Sequence, residues 1–213
     1  MKIFFKSVTT AIFLIMNSLL TAQITDLAKF GIADKNPPKG LSVGEKAPLF
    51  SAKDYQGNKI ELQKYIEKSP VVLIFYRGNW CPVCSRYLKN YTDSMKLITD
   101  KGAVVLFITP ETAEGAEKTV KKTKLPYTIV IDSDQEIMKS YDVLFEVTKK
   151  YNRKIKTLLF TDIAENNQEE TAHLPVPATF IIDKTGIIIW RQFDPNYKNR
   201  VSTKDILAHL PQN

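Results

Sequence analysis

The sequence predicts an α/β domain in which strands alternate with helices. Residues 71–76 and 103–109 are unbroken apolar runs, which is typical of strands that are buried on both faces. Between these runs, apolar residues recur every three or four positions, which indicates a helix with one buried face. Because such alternation produces parallel strands covered by helices, the sequence predicts an α/β sandwich with parallel central strands.

Residues 1–22 are predicted to be a secretory signal peptide. Lys2 and Lys6 supply a charged start, and residues 8–20 form the apolar core of the leader. Ala22 is a small residue that precedes the predicted cleavage site at Gln23. The apolar run is short for a membrane span, although an uncleaved anchor is the alternative. We therefore expect export to the periplasm or the exterior of the cell, which are oxidising compartments.

The next elements precede the first apolar run. Residues 23–42 are predicted to be a surface lead-in, and residues 43–211 the folded domain. Residues 52–62 predict a hairpin with Gly57 in its turn. A short helix or turn over 62–68 then leads to the first buried strand.

The remaining elements continue the alternation. Residues 112–124 predict an exposed helix, 127–131 a third strand and 135–141 a helix. An additional helix is predicted from apolar residues at helical spacing, namely Leu144, Val147, Tyr151, Ile155, Leu158 and Leu159. The polar stretch 164–171 is predicted to be a loop.

The end of the chain predicts a hairpin and a closing helix. Residues 179–182 and 187–191 are predicted to be antiparallel strands joined by Lys184-Thr185-Gly186, which is a turn sequence. A helix is predicted over 203–210.

The composition favours a globular domain without a nucleotide cofactor. The 213 residues carry a formal net charge of +7, to which Lys2 and Lys6 of the leader contribute two charges. The basic runs 121–124 and 149–156 are typical of solvated helix faces rather than of nucleic-acid binding. The sequence contains no zinc-cluster spacing, phosphate loop or dinucleotide glycine pattern, and we expect no cofactor.

Both cysteines, Cys81 and Cys84, follow the first apolar run. Pro82 suits a first helical position, so Cys81 is predicted at a helix N-terminus, where free N–H groups and the helix dipole favour a thiolate. Cys84 falls one turn deeper, on the inward face. We expect a redox-active pair with one thiol much more accessible than the other. A structural disulfide is the alternative, although such bridges usually close longer loops.

Residues 75–84, Phe-Tyr-Arg-Gly-Asn-Trp-Cys-Pro-Val-Cys, resemble the active-site stretch of the thioredoxin-like superfamily, and more narrowly of its peroxiredoxin-like, AhpC/TSA-type branch. Residues 44–50 resemble the opening of that branch, and residues 194–210, including Arg200, resemble its close. The resemblance covers about 43–210. It implies a thioredoxin-like three-layer α/β/α sandwich with a mixed central sheet, an added N-terminal hairpin and an extra helix before the last two strands.

The resemblance also implies a thiol–disulfide oxidoreductase. Cys81 would attack a substrate disulfide, and Cys84 would resolve the mixed disulfide. Trp80 and Pro82 would contact the substrate. Arg77 either stabilises a thiolate by its charge or is a turn residue whose head reaches solvent.

A second block, residues 174–183, resembles the proline segment that faces the cysteines in thioredoxin-like proteins. The resemblance implies that the Val176–Pro177 bond is cis. It also implies that the Val176 backbone is free to pair with an extended substrate chain. A trans proline that starts a strand is the alternative.

A thiol peroxidase is the second candidate function. The peroxiredoxin motif Phe-Tyr-Pro-x-x-x-Thr-x-x-Cys overlays the chain without gaps and places Arg77 at the Pro, Cys81 at the Thr and Cys84 at the peroxidatic Cys. Two elements that position a peroxide in that family are therefore replaced. These departures favour disulfide exchange over a sulfenic acid mechanism.

A third candidate is copper binding by the two thiols with His173, but the cysteine spacing suits a disulfide better, and we expect no metal. The expected partners are a protein or small-molecule disulfide or thiol, or a peroxide. The redox partner protein is not predicted, and the family leaves a homodimer open.

Overall fold

A mixed sheet of seven strands forms the centre of the part of the chain that the structure describes. The structure is a computed structural model that describes residues 27–32 and 36–211. The nine strands of these residues are β1 (Ser51–Asp54), β2 (Lys59–Glu61), β3 (Val71–Phe75), β4 (Val104–Thr109), β5 (Thr128–Ile131), β6 (Leu144–Glu146), β7 (His173–Pro175), β8 (Ala178–Ile182) and β9 (Ile188–Phe193). Strands β6 and β7 form a separate antiparallel pair.

Helices lie between the strands along the chain. They are α1 (Leu62–Ile66), α2 (Pro82–Ser94), α3 (Lys96–Asp100), α4 (Ala113–Thr123), α5 (Glu136–Ser140), α6 (Lys149–Leu159), α7 (Ile163–Asn166) and α8 (Thr203–His209). The sheet order is β2-β1-β5-β4-β3-β8-β9, with β3, β4 and β5 parallel and the other neighbours antiparallel. This confirms the predicted mixed sheet with parallel central strands and an added N-terminal hairpin.

The central strand β3 separates two hydrophobic cores. Val72 and Ile74 point into the core that contains both cysteines and α2, whereas Leu73 and Phe75 point into the core that contains α1 and α5. Each residue of β3 is buried, because both faces of the sheet are covered by helices. The unbroken apolar run in the sequence therefore reflects the three-layer arrangement.

Two predicted elements between β5 and β8 needed correction. The extra helix exists as α6, but it begins after the Thr148 cap, and Leu144 belongs to β6 instead. The reason is that residues 144–146 pair with residues 173–175, which holds them extended. The predicted loop 164–171 begins within the short helix α7, which Asp162 caps.

The described part of the lead-in packs against β9, which is an edge strand of the sheet. The Arg191 Nη1 group donates to the backbone carbonyls of Lys39, Gly40 and Leu41 at 2.7–2.9 Å. The predicted leader, residues 1–22, lies outside the described residues. Among residues 27–32 and 36–211, no helix combines the length and the apolar character needed to cross a membrane.

Candidate active site

The two cysteines lie at the first turn of α2. Cys81 caps the helix with an extended backbone, and its Sγ atom accepts a hydrogen bond from the Cys84 backbone N–H at 3.3 Å. Pro82 is the first helical residue, where its missing N–H would have had no helical partner. The predicted position of Cys81 at a helix N-terminus is confirmed, and both thiols are free.

Both thiols are buried, which the sequence did not predict. Cys81 is 2% exposed and Cys84 is 0% exposed, so the surface exposure of the two thiols does not differ by the large margin that was expected. The reason is that Trp80 and the α6 residues Tyr151 and Ile155 pack in the same hydrophobic cluster as the cysteines. Cys81 nevertheless forms part of the wall of a cavity of about 240 Å³, and Cys84 does not line that cavity.

Arg200 contacts the deeper cysteine. Its Nη2 atom lies 3.4 Å from the Cys84 Sγ atom, within hydrogen-bond distance for sulfur. The guanidinium is held in place because its Nε–H donates to the Tyr197 carbonyl at 2.9 Å and its carbon lies 5.2 Å from the centre of the Tyr87 ring. The sequence predicted no role for Arg200. The one indication of a role was that Arg200 lies in residues 194–210, which resemble the C-terminal part of the peroxiredoxin-like branch.

The surroundings of Cys84 stabilise a thiolate. Burial by itself would raise the pKa of the Cys84 thiol. A hydrogen bond from the Cys81 thiol and the positive charges of Arg200 and Arg77 outweigh burial and lower the pKa of Cys84 to about 5. At neutral pH, Cys84 therefore carries the negative charge.

Cys81 is the protonated partner. Its hydrogen bond to the Cys84 sulfur and its burial raise the pKa of the Cys81 thiol well above the ordinary value. The positive charge of Arg77 and the Cys84 backbone N–H at the start of α2 oppose this rise without outweighing it. A helix N-terminus supplies only about half an elementary charge. Arg200 brings a full charge to Cys84 at 3.4 Å. The expected assignment of the thiolate to Cys81 is therefore reversed.

Arg77 lies inside the site rather than in solvent. It is 2% exposed, and its Nη2 group donates to the Tyr151 hydroxyl at 2.9 Å. Its guanidinium carbon lies 4.1 Å from the Tyr197 ring centre and 5.0 Å from that of Trp80. Of the two predicted alternatives, the structure supports stabilisation of a thiolate, because the charge of Arg77 lowers the pKa of Cys84.

The predictions for Val176 and Pro177 were wrong. The described residues contain no cis peptide bond, so the bond between the two residues is trans. The Val176 N–H already donates to the Val143 carbonyl at 2.7 Å, and both side chains are buried. The chain passes directly from β7 into β8, and its pairing with the segment before β6 occupies the backbone that a substrate would need.

The cavity brings together four of the predicted site residues, namely Arg77, Trp80, Cys81 and Pro82. Contact of Trp80 and Pro82 with a substrate stays a prediction. A larger cavity of about 810 Å³ lies against β1 and α5, and none of these four residues lines it.

His173 supplies no metal site. It lies in β7, and its Nδ1 atom is 4.0 Å from the Glu169 Oε2 atom. In the part of the chain that the structure describes, no three His, Cys, Asp or Glu side chains are placed to hold a metal ion. The copper alternative therefore has no ligand set there.

A buried carboxylate fixes the turn between β3 and α2. Glu111 is 0% exposed and accepts hydrogen bonds from the Tyr76 hydroxyl at 2.7 Å and the Thr119 hydroxyl at 3.1 Å. It also accepts from the backbone and side-chain N–H groups of Asn79, both at 2.7 Å. Burial raises the pKa of the Glu111 carboxyl although these donors oppose the shift. The sequence did not single out Glu111, because only tertiary contacts bury it.

We expect Glu111→Gln to lower the free energy of unfolding by about 1–3 kcal/mol, because the amide turns an N–H group toward donors and leaves buried polar atoms unsatisfied. Urea unfolding measures the change. Glu117→Gln is the matched control, since Glu117 lies on the exposed face of α4, where it loses only an exposed ion pair with Lys121, and it should change the free energy of unfolding by at most about 0.5 kcal/mol. An equal effect of the two substitutions would contradict the role of Glu111.

Comparison with known proteins identifies the family of the chain. The model of the AhpC/TSA family matches residues 43–191. Peroxiredoxin Bcp of Bacillus subtilis is 25% identical over 174 residues, which cover 81% of this chain and 94% of that protein. Thiol-disulfide oxidoreductase ResA of Bacillus thuringiensis is 25% identical over 150 residues, which cover 70% of this chain and 68% of that protein.

The fold has solved counterparts as well. A crystal structure of a cysteine mutant of Peroxiredoxin 6 from Arenicola marina superposes with a TM-score of 0.63 at 17% identity, covering 79% of this chain and 71% of that one. This likeness supports the thioredoxin-like fold. The family match spans more than half of the chain and includes both cysteines. This protein therefore belongs to the AhpC/TSA family and is an oxidoreductase.

Proposed function

We propose that this protein is a thiol peroxidase in which Cys84 is the nucleophile and Cys81 the resolving thiol. The observation that carries the proposal is the contact of 3.4 Å between Arg200 Nη2 and Cys84 Sγ in a buried site. A thiolate rather than a thiol attacks a peroxide, and the site concentrates the negative charge on Cys84. A peroxide is also far smaller than a protein disulfide, so it needs the smaller opening to reach the fully buried Cys84 sulfur.

The proposed cycle uses both cysteines. The Cys84 thiolate attacks one peroxide oxygen, the O–O bond breaks, and the leaving oxygen takes a proton to become an alcohol or water. Cys84 is then a sulfenic acid. The Cys81 sulfur attacks the Cys84 sulfur, water leaves, and a disulfide joins the two residues. Two electrons from an external thiol donor restore the free thiols.

Cys81 and Arg77, which stand in place of two residues of the peroxiredoxin motif, can both stabilise the Cys84 thiolate. Cys81 stands where the peroxiredoxin motif has its Thr, and the Cys81 S–H supplies a hydrogen bond to the Cys84 sulfur in place of a hydroxyl. Arg77 stands at the Pro and adds positive charge near both sulfurs. In the sequence, these differences from the peroxiredoxin motif favoured disulfide exchange. With the contacts described above, they are also compatible with a peroxidase.

Thiol–disulfide exchange is the second candidate. It is favoured by the position of Cys81 in the cavity wall, where an external sulfur can reach it, and by the similarity to a thiol-disulfide oxidoreductase. In this function the reduced pair would donate two electrons to a substrate disulfide. Cys81 would form a mixed disulfide with one substrate sulfur while the other leaves as a thiol. Cys84 would then attack Cys81, which releases the second substrate thiol and closes the Cys81–Cys84 disulfide.

One experiment separates the two functions. Reduced protein is mixed with one equivalent of hydrogen peroxide, and free thiols are counted by alkylation and mass spectrometry. The peroxidase proposal predicts rapid loss of both thiols and formation of one Cys81–Cys84 disulfide. Protein that is inert to peroxide but reduces insulin disulfides with a thiol donor would favour the second candidate.

We also propose that the protein is exported by a cleaved leader, residues 1–22. The charged start and the short apolar run support this proposal. N-terminal sequencing of chain recovered from the periplasm or medium of the source cell should begin at Gln23. A chain that keeps Met1 and stays in the cytoplasm would refute export.

A further inference from the structure

The cavity beside Cys81 has the composition of a binding site for a small amphipathic anion. Its volume is about 240 Å³, below the roughly 300–1,000 Å³ of sites for drug-sized molecules. Apolar side chains such as Ile155 and Leu158 of α6 form much of its wall, Arg77 is buried in it, and Lys154 stands among its exposed lining residues. No Asp or Glu is among the described residues that line it.

Arg77 has hydrogen-bonding capacity that the described residues do not use. Its Nη2 group donates to the Tyr151 hydroxyl, but the Nε and Nη1 atoms have no hydrogen-bond partner among those residues. Only 2% of the surface of Arg77 is exposed. A buried charged donor without an acceptor is costly, so a site of this kind favours an anionic ligand that supplies the acceptor.

We propose that this cavity binds the reducing substrate and that the substrate is a small thiol carrying a carboxylate. The inference rests on the proposed function, because it assigns the cavity to the step that reduces the Cys81–Cys84 disulfide. The reductant is favoured over the peroxide as the occupant because Cys81 lines the cavity and Cys84 does not. The carboxylate accepts hydrogen bonds from Arg77 while the thiol reaches Cys81.

The chemistry of this step is balanced. The thiolate of the bound molecule attacks the Cys81 sulfur, a new S–S bond forms, and the Cys81–Cys84 bond breaks. Cys84 leaves as a thiolate, and a thiol whose pKa is low is the better leaving group. A second molecule then attacks the substrate sulfur of the mixed disulfide. This releases the small-molecule disulfide and returns Cys81, which takes up a proton.

Three small thiols of different charge test the proposal. Protein oxidised with diamide is mixed with mercaptoacetate, 2-mercaptoethanol or cysteamine, and the loss of the protein disulfide is followed by acid quenching and alkylation. Each rate is expressed per thiolate and divided by the rate of the same thiol with a neutral model disulfide. We expect the normalised rate of mercaptoacetate to exceed that of 2-mercaptoethanol about tenfold, with cysteamine slowest.

Two variants locate the preference. Arg77→Met should abolish the preference for mercaptoacetate over 2-mercaptoethanol. The rate with 2-mercaptoethanol is the internal control for any general effect of the substitution on Cys84. Arg77→Lys should restore part of the preference. Lys154→Gln should lower the preference two- to threefold, at about the strength of an exposed charge interaction. Lys150→Gln is the matched control, because Lys150 is exposed on the same helix and does not line the cavity. It should change nothing.

The inference and the proposed function fail in different ways. Wild-type rates that follow thiol basicity alone, or an anionic preference that persists in Arg77→Met, would overturn the inference even in an active peroxidase. An anionic preference in protein that hydrogen peroxide does not oxidise would leave the inference standing and refute the peroxidase. Failure of diamide to form the Cys81–Cys84 disulfide would overturn both.

Discussion

Cys84→Ser is expected to lower the rate of peroxide reduction by at least roughly 10³-fold, as removal of a catalytic nucleophile does. Cys81→Ser is expected to react with one equivalent of peroxide and then stop. The difference follows from the charge distribution, because Arg200 contacts Cys84 and the pKa of Cys84 lies well below that of Cys81. In Cys81→Ser the serine hydroxyl can still donate to the Cys84 sulfur.

The measurement is peroxide consumption in a single turnover, together with trapping of the sulfenic acid by dimedone and mass spectrometry. The adduct should appear on Cys84 of Cys81→Ser protein. Circular dichroism of both variants controls for folding. Peroxide consumption that survives Cys84→Ser and is lost with Cys81→Ser would mean that the roles of the two cysteines are the reverse of those proposed.

Arg200→Met is expected to have the second largest effect, slowing peroxide oxidation of Cys84 roughly 10²-fold at neutral pH. The guanidinium contacts the sulfur directly, so its loss raises the pKa of Cys84 and removes a donor that stabilises charge during the attack. Since Cys84 reacts as a thiolate, the wild-type rate should fall as the pH drops through about 5. The profile of the variant should move to higher pH.

Two further variants sharpen this prediction. Arg200→Lys keeps the charge but loses the planar guanidinium, so an intermediate rate is expected. Arg86→Met is the matched control, because Arg86 is an exposed arginine of α2, the helix that contains Cys84. An unchanged pH profile in Arg200→Met would show that Arg200 has a structural role alone.

The sequence predicted those features that local patterns determine. Pro82 after a strand and turn placed Cys81 at a helix N-terminus, and the unbroken run in β3 indicated a sheet covered on both faces. The alternation of strands and helices predicted the parallel central strands. Each of these depends on residues that are close together in the chain.

The sequence did not reveal which sulfur holds the charge. The contact between Arg200 and Cys84 joins residues 116 positions apart, and spacing within the Cys-Pro-Val-Cys segment contains no sign of it. Glu111 likewise becomes buried through contacts with Tyr76 and Asn79 in the turn after β3 and with Thr119 on α4. Such tertiary contacts outweighed the effect of the helix N-terminus on Cys81.

The role of residues 142–174 also required the structure. The periodicity predicted a helix there, but pairing of β6 with β7 shortens it. Next to this pairing, the Val176 N–H donates a hydrogen bond to the Val143 carbonyl. In the expected cis-proline segment, the Val176 backbone would have been free to pair with a substrate. The shortened helix α6 brings Tyr151 to Arg77. An apparent addition to the fold thus becomes one wall of the candidate active site.

The most direct test of the central claim is the pKa of each thiol, measured by the ultraviolet absorbance of its thiolate in the two single-cysteine variants. For Cys84 in Cys81→Ser protein, titration should give a value far below that of an ordinary cysteine and close to the value of about 5 that its surroundings produce. For Cys81 in Cys84→Ser protein, burial still raises the pKa but the contribution of the Cys84 sulfur is gone, so the pKa of Cys81 should fall below its wild-type value and stay above that of Cys84. A low pKa at Cys81 together with an ordinary one at Cys84 would contradict the account.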